Sequence, residues 1–136
     1  MAHMKLRGRV IRRGRAEGEA LVSQQAISFF GGVDPESGVI VEAGHELEGK
    51  SISDKILVFP RGKGSTVGSY TLYRLRRKDL APAGIINAQS EAIVAVGAII
   101  ADIPMVDRLD ISQIRTGDEV TIEGALVKVN RVDSPP

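Results

Sequence analysis

Lys55-Ile56-Leu57-Val58-Phe59, stopped by Pro60, leaves this chain few ways to fold. A short apolar run with β-branched and aromatic residues reads as a buried strand. Proline ends it, having no N–H to give to a sheet ladder. A glycine-rich loop follows, Arg61-Gly62-Lys63-Gly64-Ser65-Thr66, and then a helical pattern from about Thr66 to Lys78. On a helical wheel Val67, Gly68, Thr71, Leu72 and Leu75 share one face, and Arg74, Arg76 and Arg77 lie on the other. Ser65 or Thr66 is placed to cap this helix. The arginines and Lys78 suit the negative end of its dipole.

The rest of the chain fits around that strand and helix. Lys5 to Ile11 alternates polar and apolar residues as a strand does, and Arg12-Arg13-Gly14 is a turn signal. Glu17 to Ser23 is a second strand, which Ala26 to Phe30 extends or follows as a third. Gly31 to Gly38 is a loop, Val39 to Val41 is short and apolar, and Gly44 to Ser51 is polar. Ala81-Pro82-Ala83-Gly84 stops the first helix. Gly84 to Ala88 reads as a strand and Ser90 to Ala101 as a small-residue helix capped by Ser90 or Gln89. Ile103 to Val106 is a short strand, and Asp110 to Gly117 holds a turn or short helix. Glu119 to Glu123 and Ala125 to Val129 form a hairpin turning at Gly124. The expected fold class is α/β, with a mixed sheet and two main helices packed on it. One domain is expected over residues 4–133. Met1-Ala2-His3 reads as a cloning remnant and Ser134-Pro135-Pro136 as a loose tail.

The length of 136 residues can bury a real core. A net charge of +1 points to neither nucleic acid nor an anionic membrane as partner. No apolar run approaches the roughly 20 residues that span a bilayer, and no signal-peptide pattern is seen, so a cytoplasmic protein is expected. With no cysteine, the chain has no disulfide and no thiolate for an iron–sulfur cluster. Outside the first residues His45 is the only histidine, so no metal site is expected in this chain.

The loop after Phe59 is the first candidate for chemistry. Gly62 and Gly64 let the backbone approach a ligand and reach angles closed to other residues. A helix start offers unpaired N–H groups to an anion. Arg61 and Lys63 add positive charge, and Ser65 stands where these groups converge. The same features fit a catalytic oxyanion, an anion clamp or a plain strand–turn–helix connection. The spacing matches neither a Walker loop nor a dinucleotide fingerprint. Gly31-Gly32 with Asp34 offers a second edge for a substrate pocket, or only a turn. His45, beside Glu46 and Glu48, is a proton shuttle or a solvated surface residue. Asn87, Gln89 and Ser90 lie where α/β sites gather, with helix capping as their plain role. The arginines at 74–77 read as a solvated helix end.

The segments Ile27 to Asp34, His45 to Gly49, Gly62 to Tyr70 and Asp102 to Val106 together resemble the small, swivel-domain subunit of aconitase X. The second half alone follows the order of phosphohistidine swivel domains, but Ser90 stands where their histidine would be, which argues against a phosphocarrier. The aconitase X resemblance implies a swivelling β/β/α fold and a two-part hydro-lyase. It maps the proton-abstracting base onto Ser65. It implies a cysteine-bearing large subunit holding an iron–sulfur cluster, whose iron polarises the departing hydroxyl. Substrate contacts are then expected from Arg61, Gly62, Lys63, Gly64, Thr66, Gly31 and Gly32. The archaeal branch of the family dehydrates (R)-5-phosphomevalonate to trans-anhydromevalonate 5-phosphate, and that reaction is the one expected of this chain; another branch acts on cis-3-hydroxy-L-proline, which is the alternative substrate. A non-catalytic swivel module that clamps an anion is the alternative from a different class.

Overall fold

The computed structural model describes residues 2–131. Its strands are β1 (Ala2–Arg7), β2 (Arg9–Arg12), β3 (Arg15–Val22), β4 (Ile27–Ser28), β5 (Ile56–Phe59), β6 (Gly62–Lys63), β7 (Gly84–Asn87), β8 (Met105–Asp107), β9 (Glu119–Glu123) and β10 (Leu126–Arg131). Helix α1 spans Gly68–Arg77, α2 spans Ala92–Ile100, and a 3-10 turn covers Ile111–Gln113. The α/β class, with a mixed sheet and two helices, is as expected.

Eight strands form one sheet in the order β1-β10-β9-β3-β5-β7-β8-β2. The centre, β3-β5-β7-β8, is parallel. The flanks β1-β10-β9-β3 and β8-β2 are antiparallel. β1 and β2 lie at opposite ends of this order, yet only Gly8 separates them in the chain. The sheet therefore curls until its two edges meet at Gly8. A Cβ there would sit 2.4 Å from the Asp107 carbonyl oxygen and 2.5 Å from Val106 Cγ1, so only glycine fits the seam. This close approach splits the single strand expected over Lys5 to Ile11. β1 also begins ahead of Met4: His3, set aside as part of a remnant, pairs with Asn130 of β10. The expected tail at 134–136 lies outside the described residues.

β5 shows why the central run is wholly apolar. Leu57 and Phe59 face a core shared with Phe29, Leu72, Leu75, Val94 and Ala98 beneath the two helices. Ile56 and Val58 face a second core with Ile86, Val106, Val120, Ile122, Val127 and Val129, enclosed by the curled sheet. Both faces of a period-2 strand are covered, so neither can be polar. Each large side chain fully buried here contributes about 1.5–3 kcal/mol. The helices cross on small residues. Ser69 Oγ–H donates to the Ile93 carbonyl at 2.7 Å, and a Cβ on Gly97 would lie 2.6 Å from Leu72.

Several boundaries differ from expectation. α1 starts at Gly68, with Val67 as its cap residue and no side-chain cap bond. Ser69, not Val67, completes the buried face, and Val67 is 46% exposed. α2 is capped by Glu91, whose carboxylate accepts from Ile93 N at 2.8 Å and Val94 N at 2.9 Å. Ser90 is drawn away to Asp107 instead. Ala26 to Phe30 does not extend β3: only Ile27 and Ser28 form a strand, and it pairs with β6. Val39 and Ile40 make isolated bridges to Ser51 and Val33. β8 lies two residues later than Ile103, because the Ile103 N–H closes the end of α2 on Ala98.

Candidate active site

The carboxyl end of β5 delivers the chain into a loop held on three sides. The Pro60 carbonyl accepts from Gln89 N, and the Arg61 carbonyl accepts from Ile27 N, both at 3.2 Å. β6 then pairs in parallel with β4, Gly62 opposite Ile27 and Lys63 opposite Ser28. Gly62 lies against the start of α2: a Cβ would meet Val94 Cγ2 at 2.4 Å and Glu91 Oε1 at 2.5 Å. Gly64 holds φ of +89°, and its Cβ would lie 2.6 Å from Ser28 Oγ. Both glycines of the loop are therefore required by close approach, and Gly64 also by its backbone angle.

Ser65 is exposed at the next position. Its Oγ accepts from the Val67 N–H at 3.2 Å, and its carbonyl accepts from Gly68 N at 2.9 Å. The Ser69 and Tyr70 amides bond back to Thr66 and Val67. The open anion site expected at the helix start is thus already consumed by the turn at 65–67. At this turn the Ser65 and Thr66 amides make no hydrogen bond among the described residues. A hydrogen bond from Val67 to Ser65 Oγ favours negative charge on that oxygen, as does the positive end of α1.

The cations are arranged differently from expectation. Lys63 donates to Glu42 at 2.9 Å, so its charge is paired with that carboxylate. Arg61 is exposed, with no side-chain hydrogen bond among the described residues. Gly31, Gly32, Lys63 and Gly64 do come together. With Ser28, Phe30 and Glu42 they line a shallow basin of about 420 Å³. Thr66 lies on the other side of Ser65, in an apolar groove of about 300 Å³ between the helices. Ser65 therefore stands in the chain between a glycine-lined basin that ends at Gly64 and a groove that begins at Thr66.

The remaining candidates have structural work to do. Asp34 accepts from Glu36 N at 3.0 Å and Ser37 Oγ at 2.8 Å, and these bonds hold its carboxyl below the usual range. His45 is buried rather than solvated. Its Nδ1 accepts from Leu47 N at 3.1 Å, so the ring proton is on Nε2, which donates to the Ala26 carbonyl at 3.1 Å. Asn87 is fully buried and donates to the Phe59 carbonyl at 3.1 Å; its Oδ1 has no partner. Arg74 pairs with Glu36, and Arg77 lies over the Tyr73 ring, so the helix end is only partly solvated. A larger cavity, about 450 Å³, opens at the opposite ends of the parallel strands. It is bounded by Asp54, Asp79 and Asp102, each with positive φ in a turn.

Two residues escaped sequence reasoning. Glu42 sits in a stretch with no repeating pattern, and nothing local ties it to Lys63. Asp107 is fully enclosed and takes hydrogen bonds from Arg9 and from both the N–H and O–H of Ser90. Burial pushes its pKa up, but those bonds outweigh it and hold the carboxyl at about 2. A lone aspartate just after an apolar strand was the available signal. No group of three or more histidine, cysteine or acidic side chains among the described residues is placed to hold a metal. With no thiolate in the chain either, its donor set does not fit an iron–sulfur cluster. No helix among the described residues is long and apolar enough to cross a membrane.

Residues 5–129 match the family model described as the aconitase X swivel domain. The chain belongs to that family. The swivel domain is 56% identical over 120 residues to the phosphomevalonate dehydratase small subunit of Thermococcus kodakarensis, covering 88% of this chain and 90% of the relative. It is 52% identical over 136 residues to the protein of the same name from Methanococcoides burtonii, covering 98% and 99%. It also superposes on the crystal structure of Thermococcus kodakaraensis aconitase X in its holo-form. There the TM-score is 0.92 and the identity 52%, over 94% of this chain and 99% of that one.

Proposed function

We propose that this swivel domain is the small subunit of a phosphomevalonate dehydratase, acting on (R)-5-phosphomevalonate with a large subunit beside it. What carries the reading is near-full-length identity above one half to relatives of that name. The active site is then shared. The large subunit supplies the iron–sulfur cluster, for which this chain has no ligands.

Within this chain, Ser65 is the proton acceptor. Its Oγ, as alkoxide, takes the proton from the carbon next to the substrate carboxylate while the neighbouring C–O bond breaks. The hydroxide that leaves on the side of the large subunit becomes water when the proton held by Ser65 is passed to it, returning the alkoxide. The Val67 N–H and the start of α1 stabilise the serine oxygen before the proton arrives. The free amides of Ser65 and Thr66, together with Arg61, are the groups available to a substrate anion. Lys63 reaches the basin beside Gly31 and Gly32 with Glu42 fixing its ammonium. Gly62 and Gly64 keep the loop at the height this geometry needs.

The test is reconstitution with the large subunit and turnover of (R)-5-phosphomevalonate, with cis-3-hydroxy-L-proline assayed in parallel. Dehydration of the phosphorylated substrate is expected, and none of the hydroxyproline. Ser65→Ala should assemble and bind substrate, with kcat lower by about 10²–10⁴. Near-normal turnover by that variant would remove Ser65 from its role. Dehydration of hydroxyproline alone would replace the substrate.

A further inference from the structure

We infer that the groove between α1 and α2, with the apolar side chains around it, is the surface on which the large subunit docks. This rests on the two-chain reading above.

α2 carries the argument furthest. All nine of its residues, Ala92 to Ile100, are apolar or glycine, yet it packs on the fold through one side only. Val94, Gly97 and Ala98 are buried, while Ala92, Val96, Ile99 and Ile100 face outward. A surface helix of a free-standing protein puts charge on that side; a helix apolar all round belongs in an interior. The exposure is also localised. Every large hydrophobic exposed among the described residues lies on α1 or α2, next to them at Val67, or at Phe30 and Val41 beside the glycine basin. None lies on the outer face of β1, β3, β9 or β10. Thr66, Val67, Tyr70, Ile93, Val96 and Ile100 wall the groove, and no charged side chain lines it. A contiguous apolar surface of this kind marks a site of association.

Continuity with the loop identifies the occupant. The groove begins at Thr66 and the basin ends at Gly64, one residue to either side of Ser65, so a chain that seats in the groove also covers the loop. A second copy of this chain would bring no cysteine and would close the loop against a surface with no cluster. A large subunit supplies the missing half of the site when it covers this face. Its complementary patch is apolar at the centre, to match a groove with no charged side chain.

The test uses the full chain and its large subunit, with affinity measured by calorimetry in the absence of substrate. Val96→Lys and Tyr70→Ala should each weaken association by about thirtyfold or more, the mark of an interface hot spot. Thr121→Lys, which adds the same charge on the outer face of β9, should leave it unchanged. Circular dichroism and thermal midpoints confirm that each variant folds. Wild-type affinity in Val96→Lys and Tyr70→Ala would overturn the proposal. So would sedimentation showing that this face makes a homodimer that Val96→Lys dissolves while the large subunit still binds. A wild-type chain that binds no large subunit would overturn the two-chain reading and this surface with it. Tight association with no turnover of (R)-5-phosphomevalonate would count against the substrate alone and leave the surface standing.

Discussion

Replacing Asp107 by asparagine should cost stability in a way that pH exposes. The carboxylate lies at the end of β8 with none of its side chain accessible. Arg9 donates from Nε at 2.9 Å and from Nη2 at 2.8 Å, one bond to each oxygen. Ser90 adds its N–H at 3.0 Å and its O–H at 2.7 Å. Four donors therefore meet one buried anion and bring its pKa from the ordinary 3.8 to about 2, against the upward push of burial. At ~1.4 kcal/mol per pH unit, ionisation stabilises the folded state by about 2 kcal/mol. Because the folded pKa is the lower one, that contribution is complete above pH ~4 and is lost as the pH falls from about 4 to 2. Asp107→Asn keeps the shape, removes the charge and points an amide donor at groups that are themselves donors. Its expected cost at neutral pH is about 2–4 kcal/mol. Urea unfolding followed by circular dichroism, repeated down to pH 2, measures both arms. The gap between wild type and variant should narrow by about 2 kcal/mol across the acid range. A variant within ~0.5 kcal/mol of wild type at neutral pH, or a gap that does not change with pH, would refute the reasoning.

Two further substitutions bear on the loop. Glu91→Ala removes the carboxylate that caps α2 and lies against Gly62; a loss of about 1 kcal/mol and a thermal midpoint lower by a few degrees are expected, checked by calorimetry. Gly64→Ala forces a side chain into φ of +89° and within 2.6 Å of Ser28 Oγ. It should cost about 1–3 kcal/mol and lower turnover in the assembled enzyme, since the backbone that presents Ser65 must shift. Wild-type stability and rate together would show that the loop tolerates the change.

The elements legible in the chain were those whose evidence is local and long enough to repeat. β5, β7, the β9–β10 hairpin and both helices announce themselves by periodicity and by Pro60, Pro82 and Gly124. The glycine-rich loop was legible too, since glycines at 62 and 64 between a strand and a helix are a pattern in themselves. What was not legible depended on a distant partner. β4 and β6 are two residues each and exist only because they pair with one another. His45 reads as a surface residue until Ala26 and Leu47 enclose it. Lys63 reads as a free cation until Glu42, 21 positions away, takes it.

The sequence by itself determined the class of fold and what chemistry this chain lacks. A central strand apolar on both faces demands cover on both sides, and an absence of cysteine removes any thiolate site, whatever the chain does in space. Tertiary structure alone decided how the sheet ends and where Ser65 stands. Closure at Gly8 is a contact between residues about a hundred positions apart, invisible to any local pattern. Ser65 sits between the glycine-lined basin and the apolar groove because β4, α1 and α2 converge on one short loop. Local propensity acts over a few residues, whereas the surroundings of one hydroxyl are set by every segment that packs against it.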